Sequence, residues 1–197
     1  MKLTIYHTND MHNNSAALEY LKKVNKDKFT LFLDSGDALK GSSTLFYLNE
    51  PILKTMNELK FDAMAMGNRE LNYLRWVLKN RANQAEFPII TSNVVDDRMQ
   101  TNNCFSPFKI IQLENLKIGI MGVTPVQYPP GSFWHKIFGL RFFEPVEACK
   151  KVLNEISRKV DLTILLSHAG KEMDEKIAME TEGIGLILGA HTHDLID

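Results

Sequence analysis

Cysteine is nearly absent. Only Cys104 and Cys149 occur in 197 residues, far apart and without CxxC spacing, so a disulfide scaffold and a thiolate zinc site are both excluded. Excess charge is missing too: 23 Lys and Arg stand against 24 Asp and Glu, a formal net charge of −1. No global basic field exists to gather nucleic acid or an anionic membrane. Nor is there any run approaching the ~18 consecutive apolar residues of a membrane-crossing helix. Only Met1-Lys2 precedes the first apolar run, without an h-region or cleavage site, so a leader is not expected and the chain reads as cytoplasmic. Repeats, low-complexity tracts and interdomain linkers are likewise lacking, and nothing sets an oligomeric state.

What is present suits one domain with a sizeable core, since 44% of residues are hydrophobic. Apolar β runs at Leu3–His7, Phe29–Leu33, Phe61–Met66, Pro88–Ser92, Leu162–Leu166 and Ile184–Leu188 alternate with helical patterns. Helices are expected over Ser15–Asn25, Thr44–Leu59 with Pro51 starting a segment or kinking it, Leu71–Ala82, Pro145–Val160 and Met173–Glu182. Val146, Cys149, Val152, Leu153 and Ile156 form the apolar stripe of the Pro145 helix. Phe108–Leu113 and Lys117–Val123 flank a short polar turn and predict an antiparallel hairpin. Tyr128–Phe143, aromatic and interrupted by Pro and Gly, reads as a long loop covering the sheet, with His135 structural. The alternation predicts an α/β chain with parallel strands and helices packed outside.

Five polar clusters each follow an apolar run: His7-Thr-Asn-Asp10-Met-His12, Asp34-Ser-Gly-Asp37, Gly67-Asn-Arg-Glu70, Ser167-His-Ala-Gly170 and Gly189-Ala-His-Thr-His193. The carboxyl ends of strands in such a chain share one crevice, so these clusters can converge. Singly they are weak, because Asp and Asn commonly cap turns and a lone His is more often structural. Together they offer Asp10, His12, Asp37, Asn68, His168, His191 and His193, hard and borderline donors that suit two divalent cations. Alternate residues of an extended segment face the same way, so His191 and His193 can approach one centre, as can Asp10 and His12. His7 is expected to hold the turn by a hydrogen bond and is not counted as a ligand.

Asp10-Met-His12, Gly36-Asp37, Gly67-Asn68-Arg69-Glu70, His168 and His191-Thr-His193 follow the order D-x-H, G-D, G-N-H-E, His, H-x-H. In this the chain resembles the catalytic domain of the 5′-nucleotidase and UDP-sugar hydrolase branch of calcineurin-like metallophosphoesterases. PIITSNV at 88–94 and LRFFEPVEA at 140–148 extend the resemblance over nearly the whole chain. It implies a four-layer sandwich of two mixed β-sheets flanked by helices. It also implies a pair of Mn, Zn or Fe ions: Asp10, His12, Asp37 and His193 on one, Asp37, Asn68, His168 and His191 on the other, Asp37 bridging. The implied partner is a small phosphorylated substrate, a nucleotide, rather than nucleic acid or membrane. Residues 1–197 would be the catalytic domain alone, an excised or truncated relative without the family's C-terminal substrate-binding domain.

The departure is Arg69, where the family has a histidine, with Asn72 in place of the Asp that orients it. Arginine stays charged and cannot give a proton to a leaving oxygen. Its forked donors can still meet phosphoryl charge, so Arg69 is the candidate catalytic residue. The expected activity is a hydrolase weakened toward esters with poor leaving groups. The competing readings are a metal-loaded binding or regulatory module without turnover, a nuclease on the same scaffold, which the lack of net positive charge disfavours, and an Arg69 that merely pairs with Glu70 or another surface acid.

Overall fold

Residues 2–41, 49–71, 74–98 and 105–193 are described in a computed structural model. In chain order the elements are β1 (Thr4–Thr8), α1 (Ala16–Leu21), β2 (Thr30–Asp34), α2 (Pro51–Glu58), β3 (Ala63–Ala65), α3 (Arg75–Gln84), β4 (Ile89–Ile90) and β5 (Val94–Asp96). There follow β6 (Phe108–Leu113), β7 (Leu116–Val123), α4 (Phe133–Phe138), β8 (Leu140–Phe142), α5 (Pro145–Ile156), β9 (Leu162–Ser167), α6 (Lys171–Glu180) and β10 (Leu186–Gly189). One sheet has the order β1-β2-β3-β4 and is wholly parallel. The second has the order β10-β9-β7-β6, parallel except for the expected β6–β7 hairpin.

Period-2 alternation explains why these sheets stack. Leu31 and Leu33 on β2, Ile118 and Ile120 on β7, and Ile164 and Leu166 on β9 share one buried cluster with Ala63, Ala65 and Ile90. Their odd neighbours face away: Phe32 and Met64 pack in the cluster that holds α1–α3 residues, and Met121, Val123 and Leu165 in the one that holds α5 and α6. Strands buried on both faces need helices on both sides, so the chain forms a four-layer α/β/β/α sandwich. Of the two sheets expected to be mixed, only the second is, because the β6–β7 hairpin supplies its one antiparallel pair. The expected stripe of α5 is buried against the second sheet.

Helix boundaries shift where local chemistry intervenes. Pro51 starts α2 rather than kinking it, because a fixed φ and missing N–H suit the first turn. Residues 44–48 of the expected helix, Cys104 and Asn72 lie outside the described residues. The chain is extended at Leu74, so α3 begins at Arg75 and not at Leu71. The segment read as one long loop holds two elements. Ser132 Oγ accepts from His135 N, Gly139 stops α4 with φ 71°, and β8 pairs antiparallel with β5. His135 is structural as expected: Gly131 N donates to its Nδ1 and its Nε2–H reaches Asp97 at 2.8 Å. No helix among the described residues is long and apolar enough to cross a membrane.

The inter-sheet cluster should dominate stability. Ile164→Ala, at a fully buried site, is expected to destabilise by about 2–5 kcal/mol. Ile137→Ala, at a side chain 43% exposed, should stay within about 0.5 kcal/mol. Denaturant midpoints of the two variants measure the difference.

Candidate metal centre

The polar clusters sit at the carboxyl ends of β1, β2, β3, β9 and β10, and their backbones are unusual. Asp10 (φ 48°), His12 (46°), Asp37 (56°), His191 (82°) and His193 (58°) all occupy the left-handed region. Such conformations cost of order 1 kcal/mol or more apiece and persist only where the surroundings over-determine them. Here the loops knit to one another. Asp10 N donates to Gly36 O at 2.9 Å and His12 N to Asp37 O at 2.8 Å. His191 N donates to Asp10 Oδ2 at 3.0 Å, tying the last cluster to the first.

Buried Glu70 anchors the centre from beneath. Its carboxylate accepts from the N–H groups of Gly67 (2.7 Å), Asp37 (2.8 Å) and Leu39 (3.1 Å). Burial and then the neighbouring Asp37 charge push its pKa up, against those donors. Gly67 is required at this junction, since a Cβ there would lie 2.3 Å from Asp37 Oδ1 and 2.8 Å from Glu70 Oε2.

Two groups of ligand atoms, each within 4.8 Å of one another, result: Asp10, His12 and His193, and Asp10, Asp37 and His168. Asp10 Oδ1 stands 3.5 Å from His193 Nε2, 3.9 Å from His168 Nε2 and 4.0 Å from His12 Nε2. His168 Nε2 also lies 3.3 Å from Asp37 Oδ1 and 3.2 Å from Asn68 Oδ1. His191 packs beside it, ring centroids 5.0 Å apart, but belongs to neither tight group. All seven expected side chains therefore converge, with Asp10 rather than Asp37 common to both groups.

The electrostatics favour a cation. Nδ1–H of His168 donates to Ser35 O at 2.9 Å, which leaves Nε2 facing the carboxylates. Burial opposes charge on His168, but Asp37, Glu70 and the Ser35 carbonyl outweigh it and raise the pKa. Burial likewise opposes charge on Asp37, yet the His168 contact holds its carboxyl low. Nδ1 of His12 is buried without a hydrogen-bond partner among the described residues. Two carboxylates, four imidazoles and an amide oxygen at this spacing fit hard or borderline divalent ions.

Arg69 does not pair with Glu70. Its N–H donates to Asp37 Oδ1 at 2.7 Å, its Nε lies 3.9 Å from Asp37 Oδ2, and its side chain is 40% exposed. The Nε has no hydrogen-bond partner among the described residues. His7 holds the turn as expected: Nε2–H donates to Ser35 Oγ at 2.8 Å, and that hydroxyl donates to Leu188 O at 2.7 Å. Burial lowers the His7 pKa to about 4, so the ring is neutral. The anchoring roles of Ser35, Glu70 and Asp34 are missing from the sequence reading. The local hints are Glu70 in the Gly67-Asn-Arg-Glu70 turn and Asp34 and Ser35 in the Asp34-Ser-Gly-Asp37 turn.

A family model described as calcineurin-like phosphoesterase matches residues 3–195. Snake venom 5′-nucleotidase of Crotalus adamanteus is 30% identical over 99% of this chain and 37% of its own length. Metallophosphoesterase YunD of Bacillus subtilis is 30% identical over 100% of this chain and 44% of its own length. Among solved structures, NAD nucleotidase of Haemophilus influenzae superposes with a TM-score of 0.81 at 25% identity, covering 98% of this chain and 39% of that one. The chain thus spans less than half the length of these relatives.

Asp34 offers a pH test of the buried loop. Burial, with the Glu70 charge, raises its pKa from 3.8 to about 8, against hydrogen bonds from Thr8 Oγ1 (2.7 Å) and Gly36 N (2.8 Å). The folded chain therefore holds a proton that the unfolded chain releases, and stability is lost as pH rises from about 4 to about 8. Asp34→Asn removes this titration. In chelator, the melting temperature of the variant relative to the native chain should climb across that window; a pH-independent difference contradicts the assignment.

Proposed function

The chain belongs to the calcineurin-like phosphoesterase family, and from that premise we propose that it is a dinuclear-metal-dependent phosphoester hydrolase acting on nucleotides or nucleoside diphosphate derivatives. The observation that carries this reading is the convergence of Asp10, His12, Asp37, Asn68, His168, His191 and His193 from five strand ends. Following the resemblance, Asp10, His12, Asp37 and His193 are given to one ion and Asp37, Asn68, His168 and His191 to the other, with Asp10 close to both groups. When bound, Mn, Zn or Fe would neutralise phosphoryl charge and acidify water. The 5′-nucleotidase and NAD nucleotidase relatives support a nucleotide as substrate.

The chain's own residues then divide the remaining work. Ser35 fixes the His168 ring through its carbonyl, and Glu70 fixes the main chain beneath Asp37. Arg69 places a permanent positive charge beside Asp37, where its donors meet phosphoryl oxygens as negative charge grows. It supplies no proton to the leaving oxygen. The absence of such an acid lowers rates by roughly 10²–10⁴ when the leaving group is basic. Esters that expel a phosphate or another weak base, as nucleoside diphosphate sugars do, escape this penalty. A second reading, a metal- or nucleotide-binding module without turnover, draws on the same substitution.

Mn²⁺-dependent hydrolysis of bis-p-nitrophenyl phosphate separates the two, because nitrophenolate leaves without an acid. Turnover by the unmodified chain is expected, abolished by Asp37→Ala. Arg69→His with Asn72→Asp should raise kcat/KM on AMP by roughly 10²–10⁴ while changing the activated diester little. Silence on the diester that only the restored pair breaks establishes the binding module. Equal efficiency of the native chain on AMP and on the diester would sink the role given to Arg69.

A further inference from the structure

Arg81 lies on the buried face of α3, four residues after Val77 and three after Leu78, and is itself 2% exposed. Its counter-ion is Glu50, directly before α2 and also 2% exposed, with Nη2 to Oε1 at 3.4 Å. A buried ion pair contributes little net stability, because desolvation offsets the attraction. This one is informative for what else it holds. Nη2 donates to Gly41 O at 3.2 Å and Nη1 to Arg69 O at 3.4 Å. Glu50 Oε2 accepts from Lys40 N at 3.4 Å. One pair therefore fastens residues 40–41 to the turn that carries Arg69.

The first of those segments forms a wall beside the Arg69 side chain. A Cβ on Gly41 (φ +115°) would lie 2.5 Å from Arg69 Cδ and 3.2 Å from Nη1. The Arg69 stem thus rests on bare Gly41 backbone, and the carbonyl of that glycine is one that Arg81 grips. Asp37 in turn holds Arg69 N and lies 3.9 Å from its Nε.

We infer that Arg81, with Glu50 as its counter-ion, is a positioning residue for Arg69, fixing the slot from which that guanidinium meets a phosphoryl oxygen. The inference rests on the reading of Arg69 as a phosphoryl-oxygen donor. A purely structural ion pair would instead affect the chain equally whatever stands at position 69.

Removing Arg81 alone would leave Glu50 buried and unpaired, so the test uses Glu50→Gln with Arg81→Met. Arg81→Lys serves as a second variant, since it keeps the charge but cannot bridge both carbonyls. Inorganic phosphate is titrated calorimetrically into the Mn²⁺-loaded native chain, Arg69→Ala, the pair variant and the triple variant, a cycle that isolates coupling whether or not the chain turns over. Arg69→Ala should weaken phosphate binding roughly 10- to 100-fold. The pair variant and Arg81→Lys should each weaken it by up to roughly 30-fold, and the triple variant should be no weaker than Arg69→Ala. Losses that multiply in the triple variant, or no loss in the pair variant, overturn the inference. No loss in Arg69→Ala instead removes the reading of Arg69 on which it rests. In metal-free protein, amide exchange over residues 37–41 and 67–71 should rise at least about tenfold in the pair variant; unchanged protection of both segments also overturns the inference.

Discussion

The two sheets stack through apolar side chains, but apolar contact alone does not set their register at the carboxyl edge. Ser35 does much of that. Its hydroxyl accepts from His7 on β1 and donates to Leu188 on β10, while its carbonyl accepts from His168 after β9. One residue after β2 thus ties the first sheet to two strand ends of the second. Asn93 repeats the device, its side chain exchanging hydrogen bonds with Thr124 N (2.9 Å) and O (2.8 Å). The His168 and Asn93 bonds are buried and the other two part-buried, so they are expensive to leave unmade.

Given that register, the strained ligand backbones become intelligible. Of the left-handed residues Asp10, His12, Asp37, His191 and His193, four donate their N–H to another loop: Asp10 and His12 to the carbonyls of Gly36 and Asp37, Asp37 to the Glu70 carboxylate and His191 to the Asp10 carboxylate. Glu70 extends the same logic downward, satisfying three N–H groups of two loops with one buried carboxylate. The centre is a property of the assembled loops and of no single one.

Arg69 occupies its turn without disturbing how the centre is built. Its main-chain N–H still serves Asp37, so the ligand frame does not depend on the side chain at this position. In the function proposed above, its part-exposed guanidinium brings fixed positive charge and no transferable proton, which favours charge stabilisation over proton donation. Glu50 and Arg81 lie one layer deeper and link that choice to the packing of α2 and α3.

Read linearly, the chain yields the alternation of strands and helices, the β6–β7 hairpin, the buried stripe of α5 and the order of the ligand clusters. Those follow from local periodicity and from residue types at strand ends, which a linear reading captures. It did not reveal β5 and β8, whose pairing joins segments far apart in the chain, nor α4 within an aromatic stretch. It left Ser35, Glu70 and Asp34 without roles, because a hydroxyl or carboxylate becomes an anchor only when another loop's N–H or carbonyl arrives beside it. Arg81 shows the limit most plainly. A cation at helical spacing from Val77 and Leu78 violates the apolar pattern, and only the tertiary approach of Glu50, Gly41 and Arg69 supplies the partners that make its burial tolerable.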